Sequence, residues 1–164
     1  MADEILLSRE GGIATVTLNR PERRNACNLA MWRELHRVMD EIAADDGLRC
    51  VVVRGAGGQA FGAGADMSEF ETERFTAEQA RSYNAVMAPA IYALRDCPHP
   101  TVALVQGACM GGGLEMAIFC DLRIAGAGAT FGIPINRIGH GLPLPELSEL
   151  VQLVGRPAAL ELLL

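Results

Sequence analysis

Apolar positions along the chain recur with two periods, and the alternation between them predicts its elements. Short β-branched runs at Ile5–Arg9, Ile13–Leu18, Leu48–Arg54, Thr101–Val105, Leu122–Ala125 and Thr130–Phe131 read as strands. Gly11 and Gly12 join the first two as a hairpin. Leu29, Trp32, Leu35, Val38, Met39 and Ile42 recur at helical spacing behind Asn28, a cap residue, and place Trp32 in the core. Tyr83, Met87, Ala90, Ile91 and Leu94 define a second helix behind the capping-box pair Thr76 and Gln79. Pro89 is expected to bend or interrupt it, and Pro98 to lie beyond its end. Asp66 is placed to cap a short helix over Met67–Phe70. Near the end, Leu147, Leu150, Val151 and Val154 predict a short amphipathic helix that Gly155 stops, with Pro157 in the first turn of another. Strands alternating with helices are the α/β signature.

The densest signal is Thr101–Asp121, where an apolar strand meets Gly111, Gly112 and Gly113 and then a helix carrying one acid, Glu115. Glycines there permit positive φ and close backbone approach, and a helix N-terminus presents unpaired N–H groups. That turn predicts an anion site. Glu115, in so apolar a setting, is a candidate functional carboxylate.

Composition narrows the partners. The chain has 164 residues, 50% hydrophobic, and a formal net charge of -6, as expected for one globular domain over residues 1–164. The acidic balance and the lack of a basic stripe argue against nucleic acid. No run is long and apolar enough to span a bilayer, and no secretory leader is visible, so the expectation is a cytoplasmic protein with no membrane partner. The cysteines, 5 in number and widely spaced, suggest core fillers rather than a disulfide framework or a metal site. There is no lysine, so side-chain contacts to phosphate fall to arginines such as Arg20, Arg23 and Arg24. Gly55, Gly57 and Ala60 match a dinucleotide-binding spacing, but the glycines that follow and the missing helix start argue against that reading. His36 and His99 read as a surface and a turn residue.

Three stretches, VTLNRPERRNACN, FGAGADMSEF and VQGACMGGGLEMAIFCDLRIAGAGATFGIP, closely resemble the enoyl-CoA hydratase/isomerase (crotonase) family. The resemblance covers nearly the whole chain. It implies a crotonase-like spiral of repeated ββα units that binds acyl-CoA thioesters, usually as a homotrimer or hexamer, with coenzyme A part of the substrate and no separate cofactor or metal. By the same resemblance, the N–H groups of Ala65 and Gly112 form an oxyanion hole. Arg24, Asn25 and Ala26 match the loop at the coenzyme A adenine and phosphates. Ala63, Asp66 and Met67 match the segment beside the pantetheine, with Gly111, Pro134 and Ile135 also at the substrate.

Glu115 matches the first of two glutamates used by the family's hydratases. Ile135 stands where the second would be. His140 is the preferred substitute, while Glu146 and Glu149 are expected to be solvated on their helix. The function implied is enoyl-CoA hydration. The alternatives are a double-bond isomerase or thioester hydrolase on the same scaffold, or an acyl-CoA-binding protein with weak catalysis. A serine hydrolase is disfavoured, since no GxSxG occurs. The chain is expected to stop where the family's C-terminal helical region begins, as a fragment or with a more open pocket.

Overall fold

The structure, a computed structural model, describes residues 3–139 and 141–164. Strands β1 (Ile5–Glu10) and β2 (Ile13–Leu18) form the predicted hairpin, antiparallel with Ile5 opposite Leu18. Helix α1 (Leu29–Ala43) follows, capped by Asn28, whose Oδ1 accepts from Met31 N at 2.8 Å. From there a strand–strand–helix unit repeats. Strands β3 (Cys50–Gly55) and β4 (Ala60–Gly62) lead through the single turn α2 (Phe70–Glu73) to α3 (Ala77–Arg95). Strands β5 (Thr101–Val105) and β6 (Ala108–Met110) lead to α4 (Gly112–Phe119). Strands β7 (Leu122–Ala125) and β8 (Thr130–Gly132) precede the terminal helical stretch α5 (Leu144–Leu163).

The first strand of each unit joins a five-stranded sheet of order β1-β2-β3-β5-β7, parallel from β2 onward. The second joins a three-stranded parallel sheet of order β4-β6-β8. Each unit therefore turns a corner from one sheet into the other, which is the spiral of ββα units the family resemblance implies. The bends of residues 56–59 lead into β4 rather than a helix, so the dinucleotide spacing at Gly55, Gly57 and Ala60 does not form that motif.

Helices α1, α3 and α4 bury their apolar faces in one core containing Trp32, Leu35, Ile91 and Met116. Each large side chain so buried contributes about 1.5–3 kcal/mol. Helix α3 runs through Pro89 without interruption. Tyr83 and Met87 before it and Ala90, Ile91 and Leu94 after it are all buried, and that packing offsets the roughly 3 kcal/mol an interior proline costs. The cysteines are free, with Cys27, Cys109 and Cys120 buried.

The terminal stretch breaks at Gly155, where φ is 77° and ψ 160°, so it is two helices, as its sequence predicts. Its inward face matches the predicted one at Leu150 but not at Val151 and Val154. Val151 and Val154 are 37% and 38% exposed, whereas Glu146 and Leu150, one turn apart, are buried. The expectation that Glu146 is solvated is therefore corrected: it is 1% exposed.

Candidate active site

The turn from β6 into α4 is held by Gly111 N–H donating to Gly132 O at 2.9 Å and Glu115 N–H donating to Gly111 O at 3.0 Å. Gly111 takes φ 51° and ψ -127°, a conformation that favours glycine. Gly112, the first residue of α4, has no intrahelical acceptor for its N–H. Opposite it, Cys27 N–H donates to Gly64 O at 2.8 Å and Asp66 N–H to Cys27 O at 2.9 Å, a pairing that leaves out the Ala65 N–H. The two segments nearly touch. A Cβ at Gly64 would lie 3.0 Å from Gly112 N, and one at Gly113 only 2.3 Å from Gly62 O. Glycine at both positions lets the segments 62–65 and 111–113 pack directly on one another, and Ala65 and Gly112 line the same cavity.

The surroundings fix that geometry. Arg20 Nη1 donates to Asp66 Oδ2 at 2.9 Å and to Ala26 O at 2.8 Å. Burial pushes the Asp66 carboxyl up, but hydrogen bonds from Ser68 and Arg20 outweigh it and hold the group below its ordinary range. Behind the turn, a Cβ at Gly112 would meet the Trp32 ring at 3.3 Å. The Trp32 Nε1–H donates to Tyr83 Oη at 2.9 Å.

Ala65 and Gly112 line a cavity of about 210 Å³, together with Glu115, Ile135, Phe70, Arg74 and Met87. Glu115 is 8% exposed, and its Oε2 is buried with no hydrogen-bond partner among the described residues. Burial first, and the negative charge of Glu146 second, raise its pKa from 4.5 to about 7, against an opposing pull from Arg74. The Arg74 guanidinium lies 4.8 Å from the Phe70 ring centre and 4.7 Å from that of Tyr83. Glu146, behind Glu115 on α5, accepts from the Tyr92 hydroxyl at 2.9 Å through Oε1, while its Oε2 is buried without a partner among the described residues. Burial and that bond to Glu146 push the Tyr92 phenol up to about 12.

Of the residues singled out in the sequence, Ala63, Ala65, Met67, Gly111, Gly112, Glu115, Pro134 and Ile135 all line the cavity. Arg24 is exposed beside it, with its carbonyl accepting from Ala63 N–H at 3.0 Å. Asn25 is different. It is fully buried, donating to Ala56 O and Ala60 O at 3.0 and 2.8 Å and accepting from Arg20 N at 3.0 Å. Its side chain holds the loop rather than facing a ligand. Ala26 offers its carbonyl to Arg20, and Asp66 is likewise an internal strut. Glu149 is partly exposed, and His140 lies outside the described residues.

Sequence reasoning missed Arg74, Phe70 and Tyr92. Arg74 sits in an acidic stretch, FETERF, with no period or motif to mark it. Among the described residues, no cluster of His, Cys, Asp or Glu could hold a metal, and no helix is long and apolar enough to cross a membrane.

An unpaired pair of N–H donors beside an apolar slot and one carboxyl near neutrality can stabilise an oxyanion and move a proton next to it. The family model described as enoyl-CoA hydratase/isomerase matches residues 8–164. A crystal structure titled enoyl-CoA hydratase/carnithine racemase, from Magnetospirillum magneticum, superposes with a TM-score of 0.95 at 49% identity, covering 99% of this chain and 61% of that one. A short-chain-enoyl-CoA hydratase of Clostridium acetobutylicum is 36% identical over 161 residues, 98% of this chain and 61% of that protein. A mitochondrial Delta(3,5)-Delta(2,4)-dienoyl-CoA isomerase of Mus musculus is 32% identical over 157 residues, 90% of this chain and 48% of that protein. The chain thus spans about half to three fifths of the length of these relatives.

Proposed function

Because the chain belongs to the enoyl-CoA hydratase/isomerase family, we propose that it processes acyl-CoA thioesters and adds water to a 2-enoyl-CoA. The observation that carries this reading is that Ala65, Gly112 and a buried, near-neutral Glu115 line one cavity. Water adds at C3 and its proton passes to the Glu115 carboxylate, while the C2=C3 electrons move onto the thioester oxygen. The two N–H donors stabilise that oxygen, each worth about 10²- to 10³-fold in rate. As the carbonyl re-forms, Glu115 returns a proton to C2. A group titrating near pH 7 suits both taking and giving that proton. Arg24 supports contact with the coenzyme A phosphates, since it is exposed, makes no ion pair among the described residues and holds Ala63 of the cavity wall through its carbonyl. The reading includes a cytoplasmic homotrimer or hexamer, which the exposed Leu122 and Ile124 of strand β7 support by offering apolar surface to a neighbour.

Loss of crotonyl-CoA enone absorbance on adding the protein is the expected result, abolished by Glu115→Gln. Stable absorbance with every 2-enoyl thioester tried would sink the hydratase reading. A second reading, double-bond isomerisation, is favoured by one observation: Glu115 is the only carboxylate lining the cavity among the described residues, with Ile135 facing it. One carboxyl can carry a proton from C2 of a 3-enoyl thioester to C4. Incubation in heavy water separates the two, because isomerisation exchanges protons without adding oxygen at C3.

A further inference from the structure

The cavity that holds Glu115 also holds a cation that the hydration scheme does not use. Arg74 follows directly on α2 and is half-buried, lining the cavity beside Phe70, Met87, Ile133 and Ile135. Glu71 and Glu73 flank it in sequence, yet among the described residues its guanidinium makes no ion pair and donates no hydrogen bond. It lies instead between two rings, 4.8 Å from the centre of Phe70 and 4.7 Å from that of Tyr83. Ring faces hold a guanidinium in place through its charge and plane but accept none of its N–H groups in the plane, so those donors stay available. Other arginines of the chain are committed internally. Arg20 pairs with Glu4 and Asp66, and Arg123 donates to the carbonyls of Ala117, Ile118 and Cys120 at the end of α4.

A cation among apolar walls without a partner is unfavourable, and so is an anion brought there without a cation. Each removes the other's penalty. Arg74 is the only cation lining the cavity among the described residues, and it shares that cavity with Glu115, the group the hydration scheme places at C2 and C3. Arg24, assigned above to the coenzyme A phosphates, does not line it. An anion that meets Arg74 therefore belongs to the acyl group. We propose that Arg74 is a specificity-determining residue whose guanidinium takes a carboxylate at the far end of the acyl chain. The preferred substrate class is then the mono-coenzyme A thioester of a short unsaturated dicarboxylic acid. This rests on the reading of the cavity as an acyl-CoA site. The planar guanidinium matches a carboxylate through two parallel N–H bonds. A neutral chain of equal length desolvates Arg74 and leaves it unpaired, which is the source of the discrimination. The distal carboxylate is bound and keeps its charge, and no bond to it forms or breaks.

Calorimetric titration with saturated, unreactive thioesters in chain-matched pairs tests this: glutaryl-CoA against valeryl-CoA, and adipyl-CoA against hexanoyl-CoA. The expected result is that the acidic member of at least one pair binds at least about tenfold more tightly, with the preference lost in Arg74→Met and reduced in Arg74→Lys, which keeps the charge but not the fork. Arg74→Lys carries the variant arm if Arg74→Met does not fold. Equal affinities within both pairs in the parent protein overturn the proposal, however fast crotonyl-CoA is hydrated. Weakening of acidic and neutral members by the same factor in Arg74→Met also overturns it, because the cation then serves a coenzyme A phosphate common to all four ligands. A preference that depends on Arg74 in a protein that hydrates no 2-enoyl thioester, acidic or neutral, leaves the carboxylate site standing and removes the hydratase reading instead.

Discussion

The cavity has two halves built on different physics. On one side, the Ala65 and Gly112 N–H groups are placed by backbone alone, through glycines so tightly packed that a single Cβ would collide. On the other, Glu115 depends on side chains from separate elements: Glu146 and Tyr92 behind it, Arg74 in front. The backbone half is therefore rigid and intolerant, and the carboxyl half is tunable.

Gly113→Ala should break the backbone half most severely. Its Cβ would lie 2.3 Å from Gly62 O, so the β4–α4 contact must open, at about 3 kcal/mol or more, read as a lower urea midpoint. Glu115→Gln should leave the fold intact and lower turnover about 10²- to 10⁴-fold. It should also change the pH dependence of stability. A carboxyl whose folded pKa is raised from 4.5 to about 7 stabilises the fold below the unfolded value and loses that stabilisation as pH rises through 7. The Gln variant should accordingly be more stable than the parent at pH 8, by up to about 3 kcal/mol, with the gain vanishing near pH 4. Equal urea midpoints at pH 8 would contradict the burial of Glu115.

Gly64→Ala is milder than Gly113→Ala, because its Cβ lies 3.0 Å from Gly112 N, but φ there is +93° and the alanine is strained. Displacing one N–H donor should lower kcat about 10²-fold with little change in KM. With crotonyl-CoA, Arg74→Met should give the smallest effect. It removes the one pull that favours ionised Glu115, so the limb of the pH profile of kcat/KM moves up, opposite to the downward movement expected in Glu146→Gln. A move in the same direction for both would contradict the placing of Arg74 and Glu146 on opposing sides of the balance.

The same division separates what the sequence reveals from what it hides. The predicted strands, the Asn28, Asp66 and Thr76 caps and the glycine turn are local, encoded by residues that each need one conformation, and they form close to where expected, whereas the short strands β4 and β6 carried no such pattern and were not predicted. The cavity residues around Ala65, Gly112 and Glu115 were legible for that reason and because the motifs resemble a known family. Glu146 was not legible. The periodicity of its helix offered an apolar face through Leu147, Leu150, Val151 and Val154, and only the packing of α5 on α4 turns it so that Glu146 is buried beside Leu150 while Val151 and Val154 stay exposed. The burial of Asn25 was hidden as well, because a polar residue in a polar loop gives no sign that its amide will bond three backbone groups inside the protein.

The Trp32–Tyr83 bond behind the glycine turn also makes the molecule its own spectroscopic probe. The chain has 1 tryptophan, its ring against Gly112 and its N–H on a tyrosine whose face carries Arg74, a residue of the cavity wall. Any occupant that moves the arginine or draws on the Gly112 N–H alters the indole's surroundings. Intrinsic emission from a single fluorophore thereby reports filling of the cavity, without label or coupled assay.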